Sequence, residues 1–249
     1  MSLEVNSAFA MYSVILLSLC TIIGVLSTPA INLIQCDSSD DQCVTKAVQA
    51  AYKTVLDAND AIGAENLDPM FLNVIEGNLS ILKYKFFNTT VIGYKSCEVK
   101  SSKFDAATSK LHVDLVCPSF ALFGQYEIDG RLIVLPVKGD GDYKLDTKSY
   151  SLIIDAELKI APGKDGKNYM TVKNFKLKPE ALEGVVFDFK NLFNGQKDLS
   201  DAVHKFANEN WKEVANEVQE PVFTETVKKI VKNANKYLKT VPVEDYLKQ

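Results

Sequence analysis

Residues 120–136, FALFGQYEIDGRLIVLP, constrain the fold more than any other stretch. Phe120, Leu122, Tyr126, Ile128, Leu132 and Val134 share one parity, and Gln125, Glu127, Asp129 and Arg131 share the other. Successive side chains of an extended chain point to opposite faces, so this run makes a strand with one apolar face and one wet face. At about fifteen residues it far exceeds the usual strand of roughly 5–6. A strand wet on one side belongs to an antiparallel sheet, not to a parallel sheet buried on both faces. Leu152, Ile154, Ala156, Leu158 and Ile160 repeat the pattern, with Asp155, Glu157 and Lys159 outward, and Val185, Phe187 and Phe189 repeat it around Asp188 and Lys190. Gly124 and Gly130 stand in the inward row, where a missing side chain permits a bend or a close backbone approach. Long, curling strands are therefore expected over roughly residues 70–193.

Helical spacing brackets this region. Ser39 or Asp40 can cap a helix carrying Val44, Ala47, Val48, Ala51, Tyr52 and Val55. Gly63 closes that region and Asp68-Pro69 opens the next. From about Asp198 to Thr240, Leu199, Val203, Phe206, Ala207, Trp211, Val214, Val218, Val222, Val227, Ile230, Ala234 and Leu238 recur at three and four. Pro221 should kink this long helix or split it. The stripe is not a strict heptad, and a curled sheet with an apolar inner face needs a partner inside. The expected class is α+β, a long C-terminal helix wrapped by a strongly curved antiparallel β-sheet.

The segment MYSVILLSLCTIIGVLS (residues 11–27) is free of charged residues. It falls short of the ~18 apolar residues that span a bilayer, so residues 1–28 read as a cleaved signal peptide, with Met11 as the natural start. Cleavage after Ser27 or Ala30 fits the small residues there. Residues 29–249 then form a single domain. Of five cysteines, Cys20 leaves with that segment, and Cys36, Cys43, Cys97 and Cys117 remain. Cys36 and Cys43 bracket a short loop and pair easily. Cys97 and Cys117 flank a hairpin whose turn lies near Asp105-Ala106-Ala107-Thr108, so they either bridge across adjacent strands or stay as buried thiols. No Cys-x-x-Cys exists for zinc. Asn78 and Asn88 head sequons that a secreted chain can glycosylate. The 47 % hydrophobic content calls for a packed core, and a net charge of −4 with the single arginine Arg131 argues against nucleic acid or anionic membrane as partner.

A search for chemistry finds no Gly-x-Ser-x-Gly elbow, no His-Glu-x-x-His and no phosphate-loop lysine. His112 shares a wet face with Asp114, and His204 lies on the long helix. The glycine-rich stretch VKGDGDY (residues 137–143) leads into another strand, not a helix, and lacks the Ca²⁺-loop residue types, so it reads as a hairpin turn. No catalysis, cofactor or metal is expected. What remains is apolar capacity: Phe86, Phe120, Leu122, Tyr126, Leu132, Val134, Leu152, Ile154, Phe187 and Phe189 from strands, and Phe206, Trp211, Val214 and Val218 from the helix. Each alone is a core residue. Together they could line an apolar slot that the helix does not fill. At ~0.8 kcal/mol per buried methylene, a chain of about ten carbons binds there without a charged anchor.

The run LVCPSFALFGQYEIDGRLIVLPVKGDGDYKLDT resembles the pattern P-x-L-x-L-x-G-x-Y-x-x-x-G-x-L-x-x-L-P-[IV]-x-G-x-G of the insect takeout and juvenile hormone-binding protein family. The tail FDFKNLFNGQKDLSDAVHKFANENWKEVANEVQEPV resembles that family's Asn-Leu-Phe-Asn-Gly and Asn-Glu-Asn-Trp segments, and Val241-Pro242 and Asp245-Tyr246 its closing residues. Cys36 and Cys43 fit its N-terminal cysteine pair. The resemblance implies a tubular lipid-binding fold with an internal hydrophobic tunnel. It also implies secretion into haemolymph or another extracellular fluid, and carriage of a lipophilic ligand (isoprenoid, juvenile-hormone-like, ubiquinone-like or fatty-acyl) without catalysis. Cys97 and Cys117 lie outside the pattern, which favours the takeout-like branch. A monomer is expected, with an unidentified receptor as a further candidate partner and no stable membrane insertion. The competing expectation is a secreted signalling or receptor-interaction protein with a filled core.

Overall fold

The computed structural model describes residues 33–248. The expected signal peptide lies outside the described residues. The chain runs β1 (Cys36–Asp37), α1 (Asp41–Val55), β2 (Met70–Asn78), β3 (Leu82–Ile92), β4 (Glu98–Asp105), β5 (Lys110–Cys117), β6 (Phe120–Leu132), β7 (Leu135–Thr147), β8 (Tyr150–Pro162), β9 (Asn168–Ala181), β10 (Val185–Phe189), α2 (Lys197–Glu209), α3 (Trp211–Leu238) and β11 (Leu247–Lys248). This is the expected α+β arrangement, a long C-terminal helix against antiparallel sheet. The sheet is divided in two, in the orders β10-β7-β6-β3-β2 and β4-β5-β8-β9. Neither sheet closes on itself.

The inward parity of β6 holds along most of its length, with Phe120, Leu122, Tyr126 and Leu132 buried. The two glycines in that row lie against β3. A Cβ on Gly124 would come 2.6 Å from the Phe87 carbonyl oxygen, and one on Gly130 (φ +135°) would come 2.2 Å from that of Ile81. Removing the side chain is what lets the strands meet there.

The hairpin after β6 differs from expectation. Leu132 pairs with Leu135, so the turn is Ile133-Val134. Val134 is 62 % exposed at its tip and does not face inward. VKGDGDY is not a turn but the body of β7. Its glycines make room for the chain leaving β10: a Cβ on Gly139 would come 3.0 Å from the Leu192 Cα, and one on Gly141 would come 2.8 Å from the Lys190 oxygen. The Lys190 N–H donates to the Asp142 carbonyl at 2.8 Å in the same place.

Helix α1 is capped by Asp40, whose carboxylate accepts from the Gln42 and Cys43 N–H groups. The long helical region is broken at Asn210 (φ −108°, ψ 34°), and α3 continues through Pro221. The Asn210 backbone N–H makes the last intrahelical bond of α2, to the Phe206 carbonyl at 2.9 Å, and its side-chain Nδ2 donates to the same carbonyl at 2.9 Å, a local side-chain bond at the helix end. Pro221 removes the N–H that would serve the Glu217 carbonyl. The neighbouring Val218 carbonyl accepts from the Tyr84 hydroxyl at 2.7 Å.

Helical side chains bond the outer strands of both sheets. On β10, Asn208 Oδ1 accepts from the Phe187 N–H at 2.8 Å and its Nδ2 donates to the Phe187 carbonyl at 3.2 Å. On β9, Asn235 makes the same pair with Val172 at 2.7 and 3.0 Å. On β4, Gln49 Oε1 accepts from the Val99 N–H at 2.6 Å and Thr45 Oγ1 from the Ser102 N–H at 2.9 Å. On β2, Lys229 Nζ donates to the Phe71 carbonyl at 2.7 Å. Open edges, which would otherwise template pairing with another chain, are thereby covered.

The expected Cys36–Cys43 disulfide is present, and of the two alternatives for Cys97 and Cys117 the bridge is the one formed, with Cα separations of 5.6 and 4.1 Å. The β4–β5 turn follows Asp105, which places Cys97 and Cys117 together at the open end of the hairpin. Cys36 also joins the two ends of the domain, since β1 pairs in parallel with β11.

A candidate ligand-binding interior

The inner face of the five-stranded sheet meets α2 and α3 around a cavity of about 40 Å³. Strands β3 and β6 contribute Tyr84, Phe86, Ile128 and Leu132; β7 contributes Val137 and Leu145; β10 and the residues after it contribute Phe187, Phe189 and Leu192. The helices close it with Val203, His204, Ala207, Val214 and Val218. Two aromatic clusters divide the interior. Beside the cavity, Phe86 stacks on Tyr143 at 4.4 Å and Tyr126 meets Phe189 edge-on at 4.8 Å. Toward the start of β6, Tyr94, Phe120, Tyr150 and Phe223 fill the space, with Tyr94–Phe120 and Tyr150–Phe223 centroids 4.8 and 4.7 Å apart.

The polar atoms around the cavity are already engaged. The Tyr84 hydroxyl donates to Val218, as above, the Tyr126 hydroxyl donates to the Lys190 carbonyl at 2.7 Å, and the Tyr143 hydroxyl shares a 2.8 Å bond with Thr89 Oγ1. Burial pushes all three phenols well above the usual tyrosine range, so they stay neutral. His204 Nε2 accepts from the Phe189 N–H at 2.9 Å, which places the proton on Nδ1, 2.9 Å from the Ser200 carbonyl it donates to. A molecule lodged here meets hydrocarbon and aromatic faces.

Of the residues expected to line a slot, Phe86, Leu132, Phe187, Phe189, Val214 and Val218 come together around the cavity. Phe120, Leu122 and Leu152 lie in the filled core, and Tyr126 serves as a strut beside the cavity. Ile154 is half-buried on β8 in the other sheet, opposite Val113 and Leu177. Phe206 and Trp211 are half-buried against the core at the α2–α3 junction. Val134, as noted, faces solvent. Tyr84 shares the parity of Phe86 and Val203 lies on the helical stripe, so both were within reach of the pattern. Val137 was hidden by reading residues 137–143 as a turn, and Leu145 lies in the strand expected after it.

The remaining polar features lie elsewhere. His112 sits on the outer face of β5, its Nδ1 2.7 Å from Asp155 and its Nε2 3.3 Å from Asp114. The hydrogen bond to Asp155, with the charge of Asp114, raises its pKa. Grooves of about 540 and 770 Å³ run over charged surface. Among the described residues no group of three or more His, Cys, Asp or Glu side chains could hold a metal ion, and no helix is long and apolar enough to cross a membrane.

A family model described as haemolymph juvenile hormone binding protein matches residues 14–248. The chain is 28 % identical over 200 residues to the circadian clock-controlled protein daywake of Drosophila melanogaster, covering 74 % of this chain and 75 % of that protein. Its counterpart in Drosophila yakuba is 24 % identical over 196 residues, with the same coverage. Among solved structures, Takeout 1 of Epiphyas postvittana superposes with a TM-score of 0.81 at 28 % identity, covering 87 % of this chain and 100 % of that one.

Proposed function

Because the chain belongs to the haemolymph juvenile hormone binding protein family, we propose that it is a secreted, non-catalytic carrier of an elongated hydrophobic molecule, isoprenoid or fatty-acyl in kind. The observation that carries this reading is the cavity beneath α2 and α3, whose lining is apolar and whose neighbouring hydroxyls and imidazole are bonded internally. A polar ligand would gain no partner there and would lose its water.

The cavity as it stands is close to the ~30 Å³ share of a single water. A chain of about ten carbons therefore enters by displacing side chains. Phe86 and Phe189 are the first to move, since they wall the cavity and their side chains carry no hydrogen bond that the motion would break. A tunnel in this protein is a bound-state feature on this reading, opened along the helix by the ligand. Native mass spectrometry of protein purified from its source tests it. Lipid adducts that dissociate on activation are the expected result, and protein free of lipid that also takes up no added long-chain alcohol or acid would remove the carrier reading.

The filled half of the interior favours a second reading, a secreted signalling or receptor-interaction protein with a closed core. Trp211 separates the two. Its fluorescence should respond to titrated long-chain lipid if the interior opens, and stay constant if the core is closed.

A further inference from the structure

The outer face of the five-stranded sheet carries an apolar patch that the carrier function does not use. Phe71 of β2 is 50 % exposed and Phe123 of β6 is 41 % exposed, and Val74 of β2 is exposed as well. Register brings them together. Phe71 pairs with Thr90, which pairs on its other side with Phe123. Val74 pairs with Phe87, which pairs with Gln125. Between Phe87 and Thr90 the register of β3 slips, and the residues in the slip are Asn88, at φ 47°, and the buried Thr89. The Asn88 side chain is exposed and its Nδ2 donates to Gln125 Oε1 at 3.3 Å, on the same outer face. Asn88-Thr89-Thr90 is a sequon, so an acceptor amide stands in the middle of an exposed aromatic patch.

We infer that Asn88 carries an N-linked glycan whose first sugars lie over Phe87, Phe123 and Phe71 and cover the patch. This rests on the secretion part of the carrier reading. Nδ2 of Asn88 forms a bond to C1 of the N-acetylglucosamine at the reducing end of a polyprenyl-pyrophosphate-linked oligosaccharide. The C1–O bond to the pyrophosphate breaks, the pyrophosphate leaves with the electron pair, and the amide releases one proton; nothing is oxidised or reduced. One N–H remains on Nδ2, enough to keep its bond to Gln125. The flat, C–H-bearing face of a sugar suits an aromatic ring, and the hydroxyl edge faces water, so an amphipathic cover replaces exposed phenylalanine. Asn78 differs: it ends β2 opposite Lys83, away from these phenylalanines.

The test uses the full chain expressed in a secretory insect cell line and collected from the medium. Peptide mapping is expected to find Asn88 glycosylated. Enzymatic deglycosylation of the native protein, or Asn88→Gln, should raise binding of a hydrophobic dye several-fold and bring concentration-dependent self-association in sedimentation. Adding Phe123→Ser to Asn88→Gln should abolish the increase, which separates surface binding from dye entering the interior. Asn78→Gln should leave dye binding unchanged. A bare Asn88 on a secreted chain whose leader is cleaved would overturn this proposal alone. So would an occupied Asn88 whose removal changes neither dye binding nor association. A chain retained with its leader intact would overturn the secretion reading and this proposal together.

Discussion

His112 stands between two carboxylates on the wet face of β5, and its protonated form is the one the fold favours. Its pKa is raised in the folded chain. The stabilisation it supplies is therefore full below the unfolded value of about 6.5 and is lost as pH rises through the raised folded value. Because the side chain is 39 % exposed, screening keeps the effect below about 1 kcal/mol. Melting temperatures of the wild type should fall slightly between pH 5.5 and 8, and His112→Gln should flatten that slope; a variant with the same slope would remove the assignment. Val214 offers the opposite kind of test. It is buried in the cavity wall, so Val214→Ala should cost about 1–3 kcal/mol by denaturant melt, as large-to-small core changes do. The same change enlarges the cavity, so dodecanol binding should hold or tighten while stability falls. Loss of both together would mean that Val214 is ordinary core.

At the scale of elements, the bonds from helices to sheet edges carry the most consequence. Asn208→Ala leaves the Phe187 N–H and carbonyl without partners, which should cost about 1–3 kcal/mol. Asn208→Asp keeps the acceptor and loses the donor, so its melting temperature should fall between those of the wild type and the alanine variant. Equal losses would mean that packing, not pairing, holds α2 to β10. None of these pairings was legible in the sequence. Asn208 and Phe187 lie 21 residues apart and Asn235 and Val172 lie 63 apart, and an asparagine on a helix reads as solvent-facing until its neighbour is known. The strands were legible because period-2 alternation is a local property. Where local signals conflicted, reading failed: Gly139 and Gly141 look like turn residues but serve a close crossing. Pro221, the stronger helix breaker by composition, sits inside α3, while α2 ends at Asn210, whose side chain bonds the Phe206 carbonyl of its own preceding turn.

For the whole molecule, alternation identified the inner face but not how deep each residue lies behind it. Phe120 and Phe86 are both buried and inward, yet Phe120 meets the Phe223 ring of α3 at 5.5 Å in the filled cluster, whereas Phe86 belongs to the cavity wall. Saturation with ligand should stabilise the folded chain by about 2.7 kcal/mol at a hundredfold excess over Kd, and a thermal-shift titration with dodecanol against 1,12-dodecanediol would show whether a polar far end abolishes it. The covered edges bear on how the interior opens. The strand N–H groups of Val99, Ser102, Val172, Phe187 and Phe189 each have their acceptor on a helix rather than on a neighbouring strand. Moving a helix exposes that amide to solvent deuterium while the strand ladders stay intact. Exchange at Phe187 and Phe189 against exchange at Val99 and Val172 would therefore report, amide by amide, which helix lifts when a ligand enters.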